Sequence, residues 1–269
     1  LTRRINTWQF RLLQEDKHAT SAYFITLTYG TNDCPGFIES PNGLNTLVVA
    51  DFQNFVKRLR NSYRYRAVNP VTGRSKYYYD LVPKIKYFAV GEYGSRRKRP
   101  HYHAIIFNTD VSRIEAAWPH GFVHTGSVTG ASIAYTLKYM HKGRTVPAFE
   151  LDDRVPEFQV HSKGLGSCYI TPETISYHQS RILEVFLTLP GGVKMPMPRY
   201  YANRLYTDAQ RRAQARNAQK LQLELIEKKQ MLYINEFGTL DGYFAREVER
   251  KRAYLEIFRA RSTVRCQQF

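Results

Sequence analysis

Two short β-rich runs, Ile85–Gly91 and His101–Phe107, stand on either side of a loop carrying the basic stretch Arg96-Arg97-Lys98-Arg99. Two such runs joined by a short polar loop read as an antiparallel hairpin. The pairing constrains the chain strongly, because side chains two apart in a strand share a face. His101 and His103 therefore point together, at one end of an otherwise apolar strand. In a plain hairpin register Glu92 lies roughly opposite His101.

The rest of the chain can be ordered around this hairpin. Residues 3–18 read as a short helix with Ile5, Trp8 and Leu12 at helical spacing, and Tyr23–Tyr29 as a strand. Residues 31–45 form a loop. An amphipathic helix spans Thr46–Tyr63, built on Val48, Phe52, Phe55, Val56 and Leu59. Residues 64–83 are polar and tyrosine-rich, contain Pro70, Gly73 and Pro83, and read as another loop. After the hairpin come a short helix at Ser112–Trp118, a β-like stretch at Gly121–Val128 and a helix at Ala131–Lys142 stopped by Gly143. Beyond Pro147 the pattern loosens into turns and short β-like runs, and long helices follow at Thr207–Met231 and Leu240–Ser262. The order strand, helix, strand, strand, helix, strand, helix indicates an α+β fold, a central antiparallel sheet with helices on one face. The division expected is a catalytic domain over residues 1–150 and an accessory, largely helical region over 151–269.

With 40 Lys and Arg against 23 Asp and Glu, the formal net charge is +17. Such a balance draws a polyanion, nucleic acid or a membrane surface. The membrane option lacks support, since there is no apolar run of about 20 residues, no lipidation motif and no secretory signal pattern. Cys34, Cys168 and Cys266 are scattered and odd in number, which argues against a disulfide framework or zinc cluster and suits a reducing cytoplasm. The chain starts on Leu1, which suggests a beginning inside a longer protein.

Paired imidazoles and a carboxylate form a natural set for a divalent metal, with remaining coordination positions open to water or a phosphate oxygen. The alternatives are two unrelated surface histidines and a Glu92 salt bridge to the arginine-rich loop. In Ala134–Lys142, Tyr135 and Tyr139 are four apart and share a helix face, and each has a lysine three residues on, Lys138 and Lys142. A core-facing tyrosine pair with solvated lysines would produce the same spacing. Together the two motifs make chemical sense. A cation on a phosphate oxygen removes the charge that repels a nucleophile, and neighbouring lysines stabilise a phenolate. Arg96, Arg97, Lys98 and Arg99, next to the histidines, are candidate DNA-phosphate contacts.

These residues resemble HUH endonucleases of the rolling-circle replication initiator type. Phe24-Ile25-Thr26-Leu27-Thr28-Tyr29 resembles the first motif of that family, His101-Tyr102-His103 its His-hydrophobic-His motif, and Tyr135 with Lys138 and Tyr139 its two-tyrosine motif. Gly91-Glu92-Tyr93-Gly94, Gly121-Phe122-Val123 and Pro198-Arg199-Tyr200-Tyr201 resemble the initiators of Microviridae, in particular the gokushovirus-like phages. That group often carries a cysteine-rich segment near its N-terminus, which is absent here. The resemblance implies histidines on a middle strand with the tyrosine helix below, and Mg²⁺ or Mn²⁺ as the ion. It also implies nicking of single-stranded DNA at a phage origin through a 5′-phosphotyrosine link, leaving a 3′-OH primer, inside the bacterial host cytoplasm. No P-loop motif occurs, so the resemblance implies a host helicase and DNA polymerase as partners. A plasmid relaxase or HUH transposase shares the chemistry, and a non-catalytic single-stranded DNA-binding protein would share the charge and the aromatics.

Overall fold

The computed structural model describes residues 2–30, 38–79, 84–94, 97–139 and 145–267. The chain divides into two compact units, Leu1–Tyr169 and Ile170–Phe269. The first contains helix α1 (Thr2–His18), strand β1 (Ala22–Tyr29), α2 (Val49–Asn61), β2 (Arg64–Val68), β3 (Ser75–Tyr79), β4 (Lys86–Tyr93), β5 (Pro100–Phe107), α3 (Val111–Ala117), β6 (Gly121–Ser127), α4 (Gly130–Lys138) and β7 (Phe158–His161). Five of these strands make one antiparallel sheet in the order β6-β1-β5-β4-β7, with β5 in the middle.

Strand parity sorts the side chains into two cores. On one face Ile25, Leu27, Tyr102, Ala104 and Ile106 pack against Phe52, Phe55 and Leu59 of α2 and Ile114 of α3. On the other, Phe88, Val90, Ile105 and Phe107 pack against Trp8 and Leu12 of α1 and Ile133 and Leu137 of α4. Helices therefore cover both faces, not the single face expected from the element order. An amphipathic stripe tells a helix to bury itself but not against which side of a sheet.

The opposite face also holds the histidine strand in place. Tyr102 lies between the two histidines in sequence and points away from them. Its hydroxyl donates to the Val48 carbonyl (2.9 Å), accepts from the Val48 N–H (3.0 Å) and lies 2.8 Å from the Tyr29 hydroxyl. Tyr29 donates to Asp51 at 2.7 Å. These buried phenols tie the middle of the sheet to the start of α2. Burial heads the causes that push Tyr102 up to about 12, so it stays a neutral donor. Gly91 leaves room for the last strand, because a Cβ there would come within 2.8 Å of the Phe158 ring.

Two further differences from the sequence pattern stand out. Residues 64–79 form the β2–β3 hairpin rather than irregular loop. The Asn69 side chain accepts from the backbone N–H groups of Val71 and Thr72, both at 2.9 Å, and closes the turn around Pro70. The first unit also runs past residue 150, because Phe158–His161 pairs with β4.

The second unit contains α5 (Pro172–Gln179), β8 (Phe186–Thr188), β9 (Lys194–Pro196), α6 (Arg199–Leu205), α7 (Asp208–Phe237) and α8 (Leu240–Gln267). A capping box between Thr207 and Gln210 starts α7, and Gly238, at φ 80°, ends it in the left-handed conformation. No helix among the described residues is long and apolar enough to cross a membrane.

Candidate metal and nucleophile site

β4 and β5 pair with Glu92 directly opposite His101, the register a plain hairpin requires. Glu92, His101 and His103 lie on the α1/α4 face, and one ligand atom from each falls within 4.8 Å of the others. Glu92 Oε1 is 2.7 Å from His101 Nε2 and 3.0 Å from His103 Nε2. Glu92 and His103 are buried and His101 is partly open.

The other ring nitrogens are also engaged. His101 Nδ1 lies 3.1 Å from the Arg99 carbonyl, which can only accept, so Nδ1 carries the proton of that bond. In the neutral ring Nε2 then presents a lone pair towards Glu92 Oε1. Two electron-rich atoms 2.7 Å apart need a second proton on the ring or a cation between them. His103 Nδ1 is 2.9 Å from Thr26 Oγ1 of β1, which can act as donor or acceptor and holds the ring with Nε2 turned inward. Imidazoles oriented through Nδ1, with both Nε2 atoms meeting one carboxylate oxygen, form a donor set that fits a divalent ion.

Burial alone would raise the Glu92 carboxyl. Hydrogen bonds from His101 and His103, the electrostatic pull of His101 and a hydrogen bond from Tyr139 outweigh it and lower the group to about 2. Glu92 is thus an anion at any working pH, as a metal ligand must be.

α4 brings the tyrosines to this cluster. Thr129 and Ser132 form a capping box, with Ser132 N–H donating to Thr129 Oγ1 at 3.1 Å and Thr129 N–H to Ser132 Oγ at 2.7 Å. Ile133 and Leu137 then anchor the helix in the core. That phase sets the Tyr135 ring 5.2 Å from the His103 ring, edge to face, and the Tyr139 ring 5.7 Å from it, stacked. The two phenol rings are 5.4 Å apart. Tyr139, at the C-cap of α4, is half-buried; Tyr135 is 41% exposed. Burial first, then the hydrogen bond to Tyr135 and the negative charge of Glu92, push the Tyr139 phenol up. Lys138 Nζ lies 5.8 Å from the centre of the Tyr135 ring.

Thus Glu92, His101, His103, Tyr135, Tyr139 and Lys138 converge. Lys142 and Arg96 lie outside the described residues. Arg97 and Lys98 are exposed in the β4–β5 turn beside His101. Arg99 folds back, its guanidinium donating to the Tyr29 carbonyl at 3.1 Å. The sequence reasoning missed two contributors, Thr26 and the Arg99 carbonyl. The signal for Thr26 was its parity: in Ile25-Thr26-Leu27-Thr28 the polar residues alternate onto the face that holds the histidines. For a metal held by this set, Thr26→Val is expected to weaken affinity about 10–100-fold, with Thr26→Ser retaining most of it. Calorimetric titration with Mn²⁺ checks this, and an unchanged affinity for Thr26→Val would remove Thr26 from the ligand-orienting role.

The stretch that builds this site has a clear class. Residues 22–144 match the family model for the phage replication-associated protein ORF2, a span that holds all three clustered ligands and both tyrosines. Individual relatives narrow the likeness. The chain is 29% identical to replication-associated protein VP4 of Bdellovibrio phage phiMH2K, over 66% of this chain and 56% of that protein. It is 26% identical to replication-associated protein ORF2 of Spiroplasma virus 4, over 68% of this chain and 57% of that protein. It is 27% identical to replication-associated protein ORF4 of Chlamydia phage 1, over 47% of this chain and 37% of that protein. The chain spans little more than half the length of the first two relatives. The likeness to Microviridae-like rolling-circle initiators, read first from the motifs, holds across whole sequences.

Proposed function

We propose that the chain is a metal-dependent, single-stranded DNA endonuclease and strand transferase that nicks a phage replication origin. The observation that carries this reading is the meeting of two phenols on the ring of His103, within one cluster of Glu92, His101 and His103. Relatives named as replication-associated proteins favour replication over the plasmid relaxase and transposase readings.

Glu92 Oε1, His101 Nε2 and His103 Nε2 would hold the ion. When bound, a divalent cation supplies Lewis-acid stabilisation of charge on a phosphate oxygen. Two imidazoles beside one carboxylate favour Mn²⁺ over Mg²⁺ in affinity, whichever of the two serves in the cell. Tyr135, the more exposed phenol, is the first nucleophile. Its oxygen bonds to phosphorus, the bond from phosphorus to the 3′ oxygen breaks, that oxygen leaves as a 3′-OH, and the phenolic proton passes to solvent. Lys138 stabilises developing negative charge on the phenol oxygen. Tyr139 waits as a neutral donor to Glu92 and makes the second cut, so that the 5′-phosphotyrosine end can be passed to a 3′-OH and the strand resealed. Arg97, Lys98 and Arg99, with Arg96 before them, line the approach of the DNA backbone.

The free 3′-OH would prime a host DNA polymerase, with a host helicase opening the duplex, in the bacterial host cytoplasm. Residues 1–150 act as the catalytic part and 151–269 as an accessory region. The test is a denaturing gel with a single-stranded origin oligonucleotide and Mn²⁺. A cut strand and a protein-linked fragment are expected, both lost in excess EDTA. Binding without cutting would reduce the protein to a single-strand binder, and full cutting in EDTA would remove the metal from the mechanism.

A further inference from the structure

The β2–β3 hairpin takes no part in either core. Every residue from Arg64 to Tyr78 except Ala67 is exposed. An isolated two-stranded hairpin is marginal in water, so this one depends on its own cross-strand pairs. Tyr65 and Tyr78 are paired, their rings stacked 5.8 Å apart at 25°. The Arg64 guanidinium lies 3.6 Å from the centre of the Tyr77 ring, on the other side of the ribbon. Lys76 Nζ is 5.6 Å from the Tyr78 ring.

The three tyrosines remain 42–53% exposed, whereas Tyr29 and Tyr102 in the sheet are 0–1% exposed. An open groove follows one side of the ribbon, with Tyr65, Val68, Asn69, Arg74, Lys76 and Tyr78 along it. Between residues 64 and 79 there are four basic side chains, Arg64, Arg66, Arg74 and Lys76, and no Asp or Glu. Open aromatic faces interleaved with unopposed cations are the chemistry that takes up unpaired bases and their phosphates.

Its position separates the hairpin from the metal site. Tyr63, immediately before β2, accepts from the Asp110 N–H at 2.8 Å and lies 3.0 Å from Thr109 Oγ1, both just beyond the end of β5. The hairpin therefore leaves the sheet at the Phe107 end, six residues along β5 from His101, which is about 20 Å at the rise of a strand.

We propose that residues 64–79 form a second single-stranded DNA site, which stacks bases on Tyr65, Tyr77 and Tyr78, pairs phosphates with Arg64, Arg66, Arg74 and Lys76, and holds the strand well away from the nick. The proposal rests on the reading of the chain as a DNA-nicking enzyme. It predicts that a long strand is gripped at two places and a short one at the metal site alone.

The experiment uses the full chain in EDTA, which prevents cutting, and follows fluorescence anisotropy of a labelled 30-nucleotide oligothymidylate. The Tyr65→Ala/Tyr77→Ala/Tyr78→Ala variant is expected to bind about tenfold or more weakly, since each stacked base contributes substantially. Because those changes can loosen the ribbon, a second variant, Arg66→Gln/Arg74→Gln, keeps the aromatics. It should flatten the plot of log affinity against log salt by roughly 1.4, about 0.7 for each phosphate contact. With Mn²⁺ restored, both variants should nick a short origin oligonucleotide at the wild-type rate within about twofold. Unchanged affinity and unchanged slope would overturn the proposal, as would equal or stronger loss of binding to a duplex of the same length. A wild-type chain that binds the oligonucleotide through the hairpin but never nicks would instead overturn the enzymatic reading.

Discussion

Glu92→Gln is expected to lower single-turnover nicking at least about a thousandfold while leaving the fold intact. The change keeps the size and one acceptor oxygen but removes the negative charge that both Nε2 atoms meet, at 2.7 and 3.0 Å. A lost ion forfeits several kcal/mol of charge stabilisation at phosphorus, and each 1.36 kcal/mol is about a factor of ten in rate. His103→Ala should do at least as much, but it also removes the ring that both tyrosines touch, so Glu92→Gln isolates the ligand role. Rates with a labelled origin oligonucleotide in Mn²⁺ decide the matter, and more than about a tenth of the wild-type rate would sink the assignment. The metal-free protein gives an independent signature. The Glu92 carboxyl, lowered to about 2, contributes stability that is complete above the ordinary glutamate range and is lost as pH falls towards 2. In Glu92→Gln that part of the acid dependence should vanish from thermal unfolding curves.

The double variant Tyr135→Phe/Tyr139→Phe should form no covalent adduct at all, a complete loss in the denaturing gel. Each phenylalanine keeps the ring packed beside His103 and deletes only the hydroxyl, so folding and DNA binding should persist. The single changes should differ. Tyr135→Phe removes the exposed phenol and should suppress the first cut. Tyr139→Phe removes a phenol pushed up by burial and by Glu92, and should spare the first cut while blocking a second transfer. Mass spectrometry of the crosslinked peptide assigns the residue. An adduct on any tyrosine other than these two would overturn the nucleophile assignment. Adduct on Tyr139 alone would leave Tyr135 a packing residue.

Much of the site was legible because strand alternation is a rigid rule. It put His101 and His103 on one face and set Glu92 against His101, and the register agrees. Helical periodicity likewise marked Phe52, Phe55, Val56 and Leu59, all buried. Less legible was anything that depends on which face a helix chooses. α1 lies on the histidine side and α2 on the other, although both are amphipathic helices next to β1 in the chain. Thr26 was hidden because a threonine in a strand looks like ordinary β-propensity until its neighbour is known to be a histidine. The β2–β3 hairpin escaped because its alternation is aromatic against basic rather than apolar against polar, with Pro70 and Gly73 at its turn. β7 escaped because four residues are too few to carry a period.

The alternation of β5 has a consequence for how such a chain can evolve. His101 and His103 face the site, while Tyr102 between them is bonded on the far side to the start of α2. Deleting or inserting a single residue within this strand, without a compensating bulge, would turn Tyr102 into the site and drive an imidazole into the aromatic core. The core would reject the lineage before any loss of nicking could be selected against. Changes in the Gly94–Arg99 turn that leave the pairing of Glu92 with His101 intact escape that penalty. Variation among descendants is therefore channelled into the basic turn, where it can retune how DNA is approached, while the strand itself is inherited as a single, indivisible unit.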